Sequence, residues 1–68
     1  MSKIIITLNG ESKEFYSEEL KDLLADHAPK DRPFAIEING IIVPSSNFDN
    51  FKLKHNDRIE IIAAVGGG

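Results

Sequence analysis

The segment FAIEINGIIVP, residues 34–44, decides the fold. Apolar side chains occupy every second position from Phe34 to Ile38, which predicts a half-buried β-strand. Asn39-Gly40 accepts the positive φ angles of a tight two-residue turn, and three β-branched residues follow as the next strand. Because Pro44 cannot donate to a sheet ladder, it ends that strand or places it at an edge. This segment therefore predicts a β-hairpin.

A second hairpin is predicted upstream of this one. Residues Lys3 to Leu8 are rich in isoleucine and alternate, with Ile4, Ile6 and Leu8 on one face. Asn9-Gly10 again supplies a two-residue turn. The strand that follows would run from 11 to 16.

The residues between the two hairpins predict one amphipathic helix. Leu20, Leu23 and Leu24 form one apolar stripe, and Ser17 is a favourable N-cap before them. Pro29 disfavours helical geometry at the preceding residue, so the helix should end near His27.

The last third of the chain predicts a loop and a fifth strand. Phe48, Phe51 and Leu53 are the expected anchors of the loop in the core. His55-Asn56-Asp57 has the composition of a turn, and in the fifth strand Ile59, Ile61, Ala63 and Val65 alternate with Arg58, Glu60, Ile62 and Ala64. The order β-β-α-β-β-β predicts an α+β fold with about five strands and one helix packed on one face. Residues 1–65 would form a single domain, and 66–68 a flexible glycine tail.

Composition narrows the class of protein. A chain of 68 residues holds one small core, and the absence of cysteine excludes disulfides, iron–sulfur clusters, zinc ribbons and thiol catalysis. A net charge of −3 argues against nucleic acid and anionic membranes, and no apolar stretch approaches the ~20 residues of a membrane span. We therefore expect a cytoplasmic binding or carrier module that is monomeric on its own.

No enzyme or metal site can be assembled from the side chains. His27 and His55 have no second ligand at metal-binding spacing, so a structural role is expected for both. The helix carboxylates occupy solvated positions, and no serine has a nearby base. We expect no catalytic residue, no metal and no bound cofactor in this chain.

The C-terminal segment Gly66-Gly67-Gly68 is the part of the sequence that suggests a chemical role. A tail without side chains can enter a narrow channel in a partner, where its terminal carboxylate reaches chemistry that the globule cannot. Transfer of AMP from ATP would activate that carboxylate, and a sulfur nucleophile would then convert it into a thiocarboxylate. A frayed or truncated end is the competing interpretation of the glycines.

A partner-binding surface is predicted beside the tail. Ile62 and Ala64 have the outward parity on the last strand, and Ile5 has it on the first. If these strands are neighbours, the three residues would form an exposed apolar patch, which often marks an interface. A mixed surface without significance is the alternative.

The chain resembles the family of small sulfur carrier proteins of thiamine (thiazole) biosynthesis, which has the ubiquitin fold. The likeness covers essentially the whole chain. It is carried by the Leu20-x-x-Leu23-Leu24 helix, the segment Ile36 to Pro44, the run Leu53 to Ile61 and the Gly-Gly end. Asn56 stands where the family often has glycine, and Ser45 where it often has a basic residue.

The resemblance implies a β-grasp fold with the first and last strands adjacent and parallel. It also implies that Gly67-Gly68 is the functional pair and that a ubiquitin-activating-like adenylyltransferase adenylates Gly68. Sulfur that originates from cysteine would then form the thiocarboxylate and pass to thiazole on thiazole synthase. ATP and metal would belong to the activating enzyme, and the carrier would be a co-substrate rather than an enzyme.

Two other functions fit the same pattern. One is a related carrier, such as the small subunit of molybdopterin synthase, although Ala63 to Gly66 lacks the proline-containing segment often found there. The other is a β-grasp interaction domain that binds partners through its sheet without any chemistry at the tail.

Overall fold

Five strands form one mixed sheet in the computed structural model, which describes residues 3–64. The strands lie in the order β2-β1-β5-β3-β4; β1 and β5 run parallel, and the other neighbours are antiparallel. Along the chain the elements are β1 (Ile4–Leu8), β2 (Glu11–Phe15), α1 (Leu20–His27), β3 (Phe34–Ile38), β4 (Ile41–Val43), a 3₁₀ turn (Ser45–Asn47) and β5 (Arg58–Ala63).

This architecture confirms the predicted element order, including both hairpins and the single helix. Asn9, Asn39 and Asn56 all adopt positive φ angles (49°, 54° and 73°), as the predicted turns require. Val65 and the predicted tail 66–68 lie outside the described residues. No helix within residues 3–64 has the length and apolar character needed to cross a bilayer.

The core lies between the helix and one face of the sheet. Alternation along β1 and β3 buries every second side chain, and the helix stripe fills the space above them. Phe34 and Phe48 stack beside the core with ring centroids 6.0 Å apart. The fully buried side chains are Ile6, Leu20, Leu23, Ile36 and Ile59. Leu53 is buried, and Phe48 and Phe51 are half-buried against the core, as predicted.

The start of the helix differs from the prediction. The helix begins at Leu20 with Glu19 as N-cap, so Ser17 is not the capping residue. The reason is that the preceding backbone is used elsewhere: the Leu53 N–H donates to the Glu18 carbonyl (2.7 Å), and the Leu20 N–H donates to the Phe51 carbonyl (3.2 Å). These two bonds hold residues 51–53 against the entrance of the helix.

Ser17 stabilises this entrance in another way. Its hydroxyl donates to the Asp22 carboxylate (2.5 Å) and accepts from the Glu19 N–H (3.0 Å). Tyr16, predicted to extend β2, lies after the strand and is 59% exposed.

The two Asn-Gly turns also hold the central strand β5. Asn9 Oδ1 accepts from the Ile61 N–H (2.9 Å), and Asn39 Oδ1 accepts from the Arg58 N–H (2.9 Å). Asn39 Nδ2 donates to Asp57 Oδ1 (2.9 Å), and the other oxygen of this buried carboxylate accepts from the Lys54 N–H (2.8 Å). Each asparagine thus serves both as a left-handed turn residue and as a hydrogen-bonding clamp on β5.

We predict that Asn39→Gly destabilises the fold although glycine is ideal at a positive φ. The substitution keeps the turn geometry and removes the bonds to Asp57 and Arg58, so the unfolding free energy should fall by about 1–3 kcal/mol in urea titrations. Asn56→Gly is the matched control, because no side-chain hydrogen bond of Asn56 occurs within residues 3–64. It should be neutral or slightly stabilising. Equal effects of the two variants would contradict the clamp.

Candidate functional site

Within the part of the chain that the structure describes, the end of β5 is paired on one side only. The parallel ladder with β1 pairs Thr7 with Arg58 and Leu8 with Ile59, after which the chain turns away at Asn9. On the other side, β3 accompanies β5 as far as Ala63, and the Ala64 N–H donates to the Pro33 carbonyl (3.0 Å). The last residues of β5 therefore extend beyond the turn that closes β1.

The direction of each backbone group on β5 follows from these bonds. The groups of Arg58 and Ala64 point toward β3, whereas the Ile59 carbonyl and the Ile61 N–H point toward β1 and meet Asn9. Alternation along a strand then directs the Ile61 carbonyl and both polar groups of Ala63 toward β1. No hydrogen-bond partner for these three groups is found among residues 3–64.

An apolar surface surrounds this end of the strand. Ile62 is paired with Ala35, and its side chain is 48% exposed on the face of the sheet away from the helix. Apolar residues at and next to the start of β3 and the end of β5 line a shallow depression beside Ile62. We call this surface the C-terminal patch; its residues are Pro33, Phe34, Ala35, Ile62, Ala63 and Ala64.

The predicted site residue Ile5 does not join this patch. Strand parity is as expected, and β1 and β5 are neighbours, but the register places Ile5 beside the turn before β5. There, its carbonyl accepts from the Asn56 N–H (2.7 Å). Ile62 lies six residues after Asn56, and an extended chain of six residues spans about 20 Å. The structure thus brings Ile62 and Ala64 together and separates Ile5 from them.

The middle of the same face carries two facing carboxylates. Glu37 and Glu60 are directly paired across β3 and β5, with the exposed Ile42 beside Glu37 on β4. Like charges at opposed positions destabilise a sheet. None of the ion pairs within residues 3–64 involves either glutamate. The pair is therefore a local cost to the fold, located next to the C-terminal patch.

A groove of about 380 Å³ crosses the face between the two Asn-Gly turns. Its walls include Thr7, Arg58 and Glu60 and the turn glycines Gly10 and Gly40. Of its three charged residues, Arg58 and Glu60 are exposed and Glu37 is half-buried, and the groove is open to solvent. It offers no desolvated cleft for acid–base catalysis.

The histidines have different surroundings, and neither belongs to a metal site within residues 3–64, where no cluster of three potential ligands occurs. His55 Nδ1 accepts from the Ile5 N–H (3.0 Å), so His55 joins the turn before β5 to the start of β1. His27 is exposed at the end of the helix.

One titratable side chain with a shifted pKa lies at the opposite end of the sheet. The Tyr16 hydroxyl donates to the Glu14 carboxylate (3.1 Å), and this bond together with the negative charge of Glu14 raises the pKa of Tyr16. It takes no part in the surface around the end of β5.

The sequence matches the ThiS family over residues 6–68. The chain belongs to the ThiS family. A solved structure of the thiamine biosynthesis protein ThiS from Geobacter metallireducens superimposes with a TM-score of 0.77 at 26% identity, covering 96% of this chain and 100% of that one. The predicted β-grasp fold and the predicted likeness to ThiS-type sulfur carriers are both confirmed.

Two further relatives contain a sequence similar to this chain, one as a small part of its length and the other over nearly all of it. The chain is 34% identical to a thiazole synthase of Paramagnetospirillum magneticum over 64 residues, which are 93% of this chain but only 20% of that protein. It therefore spans about one fifth of the length of this relative. It is also 34% identical to the uncharacterized protein ycf40 of Pyropia yezoensis, with 98% and 96% of the two chains covered.

Sequence reasoning missed three parts of this surface. Pro33 and Ala35 join Ile62 because β3 adjoins β5, and strand order is not encoded in local periodicity. The facing of Glu37 and Glu60 and the open edge at Ala63 both depend on register. The parity of Ala35 and Glu37 was the available signal, since both alternate with buried residues. Gly66, Gly67 and Gly68 lie outside the described residues, and their role remains a prediction.

We predict that Glu60→Thr stabilises the fold. It removes the repulsion from Glu37 and introduces a residue with high strand propensity, so the unfolding free energy should rise by about 0.5 kcal/mol at low ionic strength. The gain should shrink in high salt because exposed charges are screened. Glu37→Thr should give a similar gain, and the double variant should gain less than the sum. Strict additivity would show that the two carboxylates do not interact.

Proposed function

We propose that the chain is a sulfur carrier for thiazole formation in thiamine biosynthesis, with the Gly68 carboxylate as the group that carries sulfur. The observation that supports this most directly is the extent of the family match, which runs from residue 6 to Gly68 and so includes the glycine end. The likeness to a thiamine biosynthesis protein over the whole fold supports the same pathway.

The chemistry begins with activation of a poor electrophile. An oxygen of the Gly68 carboxylate attacks the α-phosphorus of ATP, and pyrophosphate leaves, which gives an acyl adenylate. Hydrosulfide then attacks the acyl carbon; a cysteine-derived persulfide would instead give an acyl disulfide, which a second thiol would reduce to the thiocarboxylate while itself forming a disulfide. AMP leaves, and the terminus becomes a thiocarboxylate. Each step replaces one leaving group at one centre, so no redox change occurs at the carrier when hydrosulfide is the donor.

The acceptor in this proposal is the nascent thiazole ring on thiazole synthase. A protein named thiazole synthase contains a segment similar to this chain, which supports a functional connection between the carrier and that enzyme. Transfer of sulfur from the thiocarboxylate to the ring precursor, in exchange for an oxygen atom from the precursor or from water, would return Gly68 to a carboxylate. The carrier is therefore a co-substrate, and we assign catalysis to its partners.

ATP and any metal belong, in this proposal, to a ubiquitin-activating-like adenylyltransferase. The globule is the part of the carrier that the partner would bind. β5 leads from the centre of the sheet toward the residues that precede the tail, and the C-terminal patch flanks its end. A partner that binds the patch would hold the globule while it encloses the glycines. Ile62 and Ala64 are the proposed contacts within the patch, and Gly66 and Gly67 would enter the partner's active site.

The decisive experiment is mass spectrometry of the carrier after incubation with ATP, the adenylyltransferase of the source organism and a sulfide donor. We expect a mass gain that equals the replacement of one oxygen by sulfur, located at Gly68 by fragmentation. Deletion of Gly68 should abolish the product and leave Tm unchanged, since all five strands and the core lie within residues 3–64. An adenylyltransferase that modifies neither variant would favour a β-grasp interaction domain instead.

A second prediction concerns the patch. Ile62→Asp should lower kcat/KM for adenylation by about tenfold, because it places a charge in a surface that must be desolvated on docking. Its Tm should stay near that of the parent, since the side chain is half exposed. Ile41→Asp is the matched control: Ile41 is 70% exposed but lies on the helix side of the edge strand β4. Equal losses in both variants would argue against docking at the patch.

A further inference from the structure

The open edge at the end of β5 carries a proposal that goes beyond the apolar patch. We propose that an extended strand of the adenylylating partner pairs with β5 along this edge, through the Ile61 carbonyl and both polar groups of Ala63. The same strand would continue along the glycine tail. This inference rests on the proposed function, because the partner is the protein that modifies Gly68.

The edge is open because of the register of β1. Asn9 meets the Ile59 carbonyl (2.9 Å) and the Ile61 N–H (2.9 Å) and then turns the chain away toward β2. Ala63, two residues further along, is exposed. Its N–H and carbonyl therefore continue the donor and acceptor pattern of an interior strand into solvent, at a place where β1 no longer covers it.

The two outer strands of the sheet are protected against such pairing, and this stretch is not. β2 is the sequence ESKEF, in which charged side chains oppose an added strand, and β4 has only three residues and is followed by Pro44. Charge, short length and proline are the usual means of blocking an edge. The stretch from Ile61 to Ala64 contains neither a charged residue nor a proline. It is the part of this sheet best suited to accept a strand.

The glycines explain why strand pairing suits the partner. Gly66, Gly67 and Gly68 have no side chains, so an enzyme can recognise them only through their backbone N–H and carbonyl groups. Addition of a strand to an existing edge satisfies backbone groups of this kind in regular order. A strand that starts at Ala63 could continue along the tail without a change in the mode of binding.

A second copy of the chain fits this edge less well. Symmetrical pairing of two copies would use only the few residues from Ile61 to Ala64, far less than the surface of a stable dimer. It would also bring together two chains that each carry a net charge of −3 and have Glu60 next to the edge. These two objections, a small contact area and the like charge of two identical chains, do not apply to a longer strand from a different protein.

Amide hydrogen exchange of the ¹⁵N-labelled carrier tests the proposal. In the free protein, the Ala63 amide should exchange as an unprotected group, whereas the Ala64 amide, bonded to the Pro33 carbonyl, should be protected. In the complex with the adenylyltransferase, Ala63 should become protected by about tenfold or more. Ala64 serves as the internal control because its bond is present in both states.

A pair of variants provides the second measurement. Ala63→Pro removes the N–H that faces the open edge, and proline is tolerated where that group faces solvent, so folding should persist. Affinity for the adenylyltransferase should fall about tenfold, as for the loss of one well-made hydrogen bond at an interface. Ala63→Val keeps the N–H and is the matched variant, so it should lose much less affinity than Ala63→Pro.

The outcomes separate the two proposals. If Gly68 is adenylated but the Ala63 amide stays unprotected in the complex and Ala63→Pro binds like Ala63→Val, strand pairing is wrong and the carrier function stands. If the parent protein gains neither an adenylate nor a thiocarboxylate, the proposed function is wrong and the inference fails with it. Protection of Ala63 together with weak binding of Ala63→Pro alone supports strand pairing.

Discussion

The hydrogen bond from the Ile61 N–H to Asn9 Oδ1 marks the point where β5 ceases to be an interior strand. Up to this bond, β5 has a neighbour on both sides, and its side chains alternate between the core and the open face. Beyond it, β3 is the only neighbouring strand found within residues 3–64. The position of the turn that closes β1 therefore sets how much of β5 is committed to the fold and how much is available for recognition.

The fold was predictable from the sequence wherever the signal is local. Asn39-Gly40 indicated its hairpin because the turn geometry itself requires those residue types, and Leu20, Leu23 and Leu24 indicated the helix through their spacing alone. The assignment of Ser17 as N-cap failed for a non-local reason: residues 51–53 take up the backbone groups of Glu18 and Leu20, so the helix begins later.

The site was less predictable than the fold, because it depends on the register between distant segments. Parity correctly placed Ile5 and Ile62 on one face, yet the distance between them follows from the pairing of Thr7 with Arg58, some fifty positions apart in the chain. The side-chain hydrogen bonds that Asn9 and Asn39 make to β5 could not be predicted from the sequence either. An Asn-Gly pair predicts a turn, but nothing in it shows which strand the amide will reach.

Different parts of the sheet stabilise the fold and remain open to a partner. With no cysteine, the chain depends on a small core and on buried polar bonds such as those of Asp57 to Asn39 and Lys54. Its open face retains the opposed Glu37 and Glu60, an arrangement that selection for stability alone would remove. The edges of the sheet differ as well: β2 and β4 have features that hinder pairing with an added strand, and the end of β5 does not.

The short distance between this unprotected edge and the terminus constrains how a carrier can serve two enzymes. Gly68 lies five residues beyond Ala63, and an extended chain of that length spans at most about 17 Å. Any protein that encloses the terminal carboxylate must therefore reach close to the C-terminal patch. An adenylating enzyme and a sulfur acceptor that both engage Gly68 would compete for the same few residues of β3 and β5. Under the proposed function, two such proteins would bind this small globule one after the other, and the carrier would dissociate between activation and delivery.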